Sequence, residues 1–220
     1  MINKSEIEQK VAEFLLQIKA IKLQPGNPFT WASGLKSPIY CDNRITLSHP
    51  TIRTYIRQNL TALVQEEFGS VGLIAGVATA GIPQGALVAQ ELGLPFAYVR
   101  SKAKEHGTGS LIEGEVFEGQ RVVVVEDLIS TGKSSLQAVE ALRQAGCDVA
   151  GLVAIFSYGL DEATNNFAKA KCRFSTLSNY NALVDYASGH RFINKDDLEL
   201  LRKWRDNPAD WGNAIENAVK

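Results

Sequence analysis

The residues best equipped for chemistry lie between Arg121 and Ser135. Val122, Val123, Val124 and Val125 form an unbroken β-branched run, followed at once by the carboxylates Glu126 and Asp127. Leu128, Ile129, Ser130, Thr131, Gly132, Lys133 and Ser134 come next. Consecutive valines suit a strand buried on both faces of a parallel sheet, here expected to end at Val125. Carboxylates at such a tip can accept hydrogen bonds from sugar hydroxyls. The loop after them opens into an amphipathic run, and a helix N-terminus attracts anions through its unpaired N–H groups and positive dipole end. One short element thus offers a place for ribose and a place for phosphate, which points to a phosphoribosyl ligand. The competing reading is a solvated acidic turn with Ser130 or Thr131 as a helix cap. A P-loop is excluded, because it needs a glycine five positions before Gly132, where the chain has Asp127.

Two further segments carry chemistry. Thr79, Ala80 and Gly81 follow an apolar run, and small residues there let backbone N–H groups approach a pyrophosphate closely. Arg100, Lys102, Lys104 and His106 crowd into seven positions just before Gly107 and Gly109. On a chain whose formal net charge is only −1, such a cluster with glycine hinges suits a mobile anion clamp. A solvated charged loop is the plainer alternative.

These segments need a scaffold, and the pattern supplies one. A first helix is expected over residues 5–20, with Ser5 and Glu8 as a capping box, and a second over residues 49–68. Strands are expected at 71–77, 96–99, 122–125 and 149–156, with a helix between 77 and 91 and another carrying Leu136, Val139 and Leu142 up to Gly146. Strand–helix–strand repetition with short connections specifies a parallel, doubly wound α/β sheet, in which ligands sit beyond the carboxyl ends of the strands. Beyond about residue 160 the pattern reads as helical and more polar, an appended part of one domain spanning 1–220.

With 220 residues, 45% hydrophobic and 21% charged, the chain has the composition of an ordinary soluble globular protein. Near-neutral charge gives no electrostatic reason to expect nucleic acid or an anionic membrane as partner. No apolar run approaches the ~20 residues needed to span a bilayer. Lys4, Glu6, Glu8 and Lys10 interrupt the start in a way a signal peptide does not tolerate. Cys41, Cys147 and Cys172 show neither a disulfide framework nor zinc-ligand spacing, so reduced thiols and a cytoplasmic location are expected. His49 and His190 are isolated and read as structural or exposed. Trp204 and Trp211 are expected to pack against the body or a partner.

Taken together, the three loops resemble those of type I phosphoribosyltransferases. The run from Glu126 through Asp127, Leu128, Ile129, Ser130, Thr131, Gly132, Lys133 and Ser134 is similar to that family's signature for 5-phosphoribosyl 1-diphosphate (PRPP). Within the family, the loop from Arg100 to Gly107 and the segment 29–44, which includes Trp31, Ser33, Gly34, Lys36, Tyr40, Asp42 and Arg44, resemble the orotate phosphoribosyltransferases. The resemblance implies a type I phosphoribosyltransferase fold, with a mostly parallel central sheet from about 50 to 160. A small hood would come from about 22–45 and C-terminal segments.

It also implies transfer of ribose 5-phosphate from PRPP to orotate, in pyrimidine biosynthesis. Arg100, Lys102, Lys104 and His106 would serve the departing diphosphate. Thr79, Ala80 and Gly81, Glu126 and Asp127, and the loop through Ser134 would bind PRPP. Ser130, Trp31 and Ser33 would meet orotate, and Mg2+ held mainly by PRPP would lie near Glu126 and Asp127. A homodimer with shared sites follows from the same resemblance. The chain departs from some orotate enzymes at Ala32, Ala80 and Tyr158, where lysine, lysine and arginine occur, and has Ser101 directly after Arg100. A purine phosphoribosyltransferase is the alternative within the class, and a regulatory PRPP sensor the alternative outside it.

Overall fold

The computed structural model describes residues 3–31, 34–102 and 111–212. Helix α1 (Lys4–Gln17) leads into strands β1 (Ile21–Leu23), β2 (Phe29–Thr30), β3 (Lys36–Ser37) and β4 (Ile39–Cys41) and a 3-10 helix (Asn43–Ser48). The alternating part follows as α2 (Pro50–Phe68), β5 (Leu73–Val77), α3 (Gly81–Leu92), β6 (Phe96–Val99) and β7 (Ile112–Glu113). It continues through β8 (Arg121–Ile129), α4 (Lys133–Gln144), β9 (Asp148–Ser157), α5 (Asp161–Lys169) and β10 (Phe174–Asn179), and ends in α6 (Tyr180–Gly189) and α7 (Lys195–Asp206).

Six strands form the main sheet in the order β10-β9-β8-β5-β6-β7. All neighbours are parallel except β7, which returns antiparallel to β6. Strand β8 lies inside this sheet, which explains its valine run. Val122, Val123, Val124 and Val125 are all 0% exposed, each side chain contributing about 1.5–3 kcal/mol by burial. Val123 and Val125 join the cluster beneath α1, α2 and α3, whereas Val122 and Val124 join the one beneath α4 and α5. Both faces of the sheet are therefore covered, as a parallel sheet requires.

The helices follow from equally local causes. Pro50 occupies the first turn of α2, where its missing N–H costs nothing, and Ile52, Ile56, Leu60 and Val64 recur at four-residue spacing on the buried face. Helix α1 begins one residue earlier than expected and is capped by Asn3, whose side chain accepts from the Glu6 N–H. The Ser5–Glu8 capping box does not form, because both residues already lie within the helix. Helix α1 also stops at Gln17, leaving Ile21–Leu23 free to pair antiparallel with Ile39–Cys41.

The other correction lies beyond residue 160. That region contains strand β10, parallel to β9 with Phe174 opposite Leu152. Its Phe-Ser-Thr-Leu-Ser-Asn sequence is too polar to read as a buried strand, because β10 is an edge strand with few fully buried positions. Helices α1 and α6 both pack onto it, so the N-terminal and C-terminal parts of the chain meet there.

Gly132 precedes α4 with a φ of +77°, and a Cβ placed there would lie 2.6 Å from Phe167 Cε2. Left-handed backbone and lack of space both demand glycine. Gly132→Ala should lower stability by about 1–3 kcal/mol, seen as a melting temperature reduced by roughly 3–10 °C. An unchanged melting temperature would show that Phe167 gives way freely.

Candidate active site

The carboxyl ends of β5, β6 and β8 carry the three loops that the sequence singles out. After β5, Ala78 and Thr79 are joined by a cis peptide and α3 starts at Gly81. A Cβ at Gly81 would stand 2.5 Å from the Val125 carbonyl oxygen and 3.2 Å from Glu126 Cα. The small residues thus serve closeness between two protein segments. Thr79 is exposed beside this contact.

Strand β8 does not end at Val125. It runs to Ile129, with Glu126 opposite Ala154 and Leu128 opposite Phe156 in β9, so both carboxylates belong to the strand. Glu126 is 5% exposed. Its carboxylate accepts from Ser135 Oγ of α4 at 3.3 Å and from the Asp127 N–H at 3.1 Å. Asp127 is half-buried, and its main-chain oxygen accepts from Asn43 Nδ2 at 2.7 Å. The expectation that both carboxylates face a ribose therefore divides: Asp127 keeps an open side, while Glu126 turns inward.

Burial pushes the Glu126 carboxyl well above its usual range, and the charge of Asp127 beside it pushes in the same direction. Burial also raises Asp127, against the opposing influence of its contact with Glu126 and of Arg44. Two carboxyls this close cannot both ionise cheaply.

Beyond Asp127, Ser130 and Thr131 are half-buried, Gly132 is buried, and Lys133 and Ser134 are exposed. No side chain caps α4, so its first N–H groups remain available to an anion. Asn166 of α5 donates to the Thr131 carbonyl at 3.0 Å, fixing the loop from outside.

Leu128 and Ser130 also line a pocket of about 240 Å³ together with Thr30, Trp31, Tyr40, Cys41 and Tyr158. The Trp31 indole packs on Tyr158 at 5.1 Å between ring centroids and edge-on to Trp204 at 5.8 Å, and its Nε1 donates to the Ile39 carbonyl. Burial pushes the Tyr158 phenol well above its usual range. Trp204 is fully buried in this aromatic group, so the C-terminal part of the chain supports the hood.

Trp31 and Ser130, both expected to meet orotate, line this one pocket; Ser33 lies outside the described residues. Sequence reasoning placed Tyr40, Cys41 and Lys36 in the 29–44 hood segment but gave none of their side chains a role. Alternation within β4 leaves Tyr40 40% exposed while Ile39 is fully buried, a two-residue periodicity too short to stand out. Lys36 Nζ donates to Thr30 Oγ1 at 2.9 Å across the β2–β3 pair, which brings a cation to the pocket wall.

Arg100 follows β6 directly, and its guanidinium meets Glu113 of β7 at 3.5 Å. Lys102 is exposed. Lys104 and His106 lie outside the described residues. Arg100 N–H donates to the Leu111 carbonyl, so the cationic segment springs from the mouth of the β6–β7 hairpin.

Comparison with known proteins decides what this arrangement belongs to. The phosphoribosyl transferase domain model matches residues 47–188. An orotate phosphoribosyltransferase from Phocaeicola vulgatus is 58% identical over 205 residues, covering 93% of this chain and 97% of that one. The chain belongs to the orotate phosphoribosyltransferase family. Its fold is the type I phosphoribosyltransferase fold. Among solved structures, the orotate phosphoribosyltransferase of Aeropyrum pernix superposes with a TM-score of 0.73 at 28% identity, over 84% of this chain and 99% of that one. The Leishmania donovani UMP synthase structure gives 0.76 at 28% identity; 90% of this family member is covered, but it spans only 42% of that longer chain. Among the described residues, no helix is long and apolar enough to cross a membrane.

The raised carboxyls give this orotate phosphoribosyltransferase a pH signature. A carboxyl whose folded pKa exceeds its unfolded value binds more protons when folded, so its contribution is fully present below the ordinary carboxylate range and is lost as pH rises through the folded pKa. Glu126→Gln keeps hydrogen-bonding groups in place without a charge. The ligand-free variant should melt above wild type at about pH 8, with the difference shrinking toward about pH 4, where Glu is half protonated even when unfolded. Parallel curves over that range would refute a buried, proton-holding Glu126.

Proposed function

We infer that the chain transfers the ribose 5-phosphate group from PRPP to orotate, giving orotidine 5′-monophosphate and diphosphate. What supports this reading above all is continuity: Asp127 stands near the carboxyl end of β8 with an open side, and Leu128 and Ser130 just beyond it line the hood pocket. An enzyme that joins a base to C1 of a ribose needs those two places adjacent.

In this reading the N–H groups and hydroxyls from Ser130 to Ser134 hold the 5′-phosphate. Asp127 accepts from ribose hydroxyls, while Glu126 shapes the tip from beneath. Residues 79–81 hold the diphosphate through their backbone. Orotate lies in the hood pocket, where Ser130, Trp31 and Tyr40 contact the ring, Ser33 adds a backbone contact, and Lys36 brings positive charge to the orotate carboxylate. Lys36 thereby supplies what Ala32, Ala80 and Tyr158 do not.

Orotate attacks C1 of PRPP as the bond to diphosphate breaks, with positive charge developing on the ribose. Arg100, Lys102, Lys104 and His106 neutralise the departing diphosphate, an electrostatic contribution that grows as charge separates. Packing of the hood against β8 and β9 keeps water from the reactive carbon. Mg2+ fits the oxygen-rich strand tip, since it favours oxygen ligands and commonly rides on substrate phosphates with few protein contacts. Asp127 is the residue placed to approach it, and the metal would supply charge neutralisation for the diphosphate. We further infer a cytoplasmic homodimer in which each cationic loop serves the partner's site.

An absorbance assay following orotate with PRPP and Mg2+ tests the activity. Orotate should be consumed, and turnover of a purine base in its place would overturn the assignment. Lys104→Ala should reduce kcat at least tenfold, a barrier increase of about 1.4 kcal/mol, with the melting temperature nearly unchanged. Equal loss of both would make the loop structural. Mixed Lys104→Ala and Asp127→Ala subunits should regain activity through one intact site per heterodimer; demonstrated heterodimers without activity would argue against sharing.

A further inference from the structure

Asn43 is fully buried, and its side chain is hydrogen-bonded at both ends. Nδ2 donates to the Asp127 carbonyl at 2.7 Å, a contact across 84 positions of sequence. Oδ1 accepts from the Cys41 thiol at 3.3 Å, and Cys41 lines the hood pocket. The Asn43 carbonyl accepts from Thr46 Oγ1 at 2.6 Å, and the same hydroxyl accepts from Gln84 Nε2 at 3.3 Å. Gln84 belongs to α3, the helix that starts at Gly81. The Asn43 side-chain amide therefore touches the base-pocket wall and the ribose carboxylate's own backbone, while its main-chain carbonyl connects through Thr46 to the diphosphate helix.

The topology explains why a side chain is needed there. Strand β5 pairs with β8 only as far as Gly76 opposite Val125, while β8 continues to Ile129. Past Val125 the strand keeps β9 on one edge and loses its ladder partner on the other. A buried carbonyl left without a donor is costly, and Asn43 supplies that donor from the hood. A carboxamide suits the place because its nitrogen donates to the carbonyl while its oxygen, on the other arm, accepts from the thiol.

We propose that Asn43 is a positioning residue: by clamping the Asp127 carbonyl to the base-pocket wall, it sets the distance between ribose and base at which the new bond forms. This rests on the reading of Asp127 as the ribose carboxylate. The clamp acts through Asp127, not on substrate. Its loss should then spoil transition-state geometry more than PRPP capture, which the phosphate and diphosphate loops provide.

The test compares Asn43→Ala, Asn43→Asp, Thr46→Val and Asp127→Asn by steady-state kinetics with orotate, PRPP and Mg2+, alongside thermal melts. Asn43→Ala should lower kcat at least tenfold while the KM for PRPP moves less than threefold. Asn43→Asp, which is isosteric but lacks the donor when ionised, should do the same. Thr46→Val breaks the neighbouring bonds yet leaves the clamp, so it should lose melting temperature and keep kcat within threefold. An Asn43→Ala enzyme with near-normal kcat overturns the proposal, and so does a kcat loss in Thr46→Val that matches it. Full activity in Asp127→Asn would instead sink the ribose assignment, whereas an inactive Asp127→Asn beside a normal Asn43→Ala sinks the clamp alone. Should neither Asn43 variant fold, hydrogen exchange of the wild-type Asn43 side-chain amide reads the same contact. PRPP with Mg2+ should slow that exchange at least tenfold, and an unchanged rate overturns the proposal.

Discussion

Two neighbouring carboxyl groups held inside a hydrogen-bonded strand, one buried and one half-buried, set the terms for everything around them. Glu126 and Asp127 could have stood on a loop, where solvent would carry their charge. The ladder to β9 instead keeps them in the sheet, and the protein must answer with Ser135 and the Asp127 N–H at the Glu126 carboxyl and with Asn43 at the Asp127 main-chain carbonyl. Each answer comes from a different part of the chain: α4, the strand itself, and the hood. The carboxyl pair thus does not sit on a finished scaffold. It is one reason those three parts are placed where they are.

Much of this is legible in the residues alone. The valine run announces a doubly buried strand, the small residues after it a helix start, and the spacing of apolar residues the helices on either side. Helix α2, strand β6 and the core of α4 appear within a residue or two of where periodicity places them. These are elements whose own residues decide their structure. What stays hidden depends on neighbours. The continuation of β8 past Val125 requires β9 alongside, which a local reading of Glu126 and Asp127 cannot supply. Strand β10 is polar because it is an edge, so its assignment waits on β9 as well.

The site shows the same division. The loops that would hold phosphate, diphosphate and orotate are visible as residue types, because anion binding relies on glycine, hydroxyls and cations in short runs. The inward turn of Glu126 is not, since nothing in a Glu-Asp pair says which member the fold will bury. Nor is the part played by Asn43 and Lys36, whose partners lie across the hood or on another strand. The aromatic contact of Trp31 with Tyr158 and Trp204 joins three segments far apart in sequence, and only tertiary structure reveals that the end of the chain shores up its beginning.

The ring of Phe167 gives the loop between β8 and α4 a different standing from the one its compact motif suggests. Packed where a Gly132 side chain would otherwise be, and with Asn166 bonded to Thr131, helix α5 moulds the loop from a later part of the chain. The motif is therefore portable as a word but not as an object. A peptide or graft carrying residues 126–135 would bring the donors without the mould, and the shape that α5 imposes would stay behind.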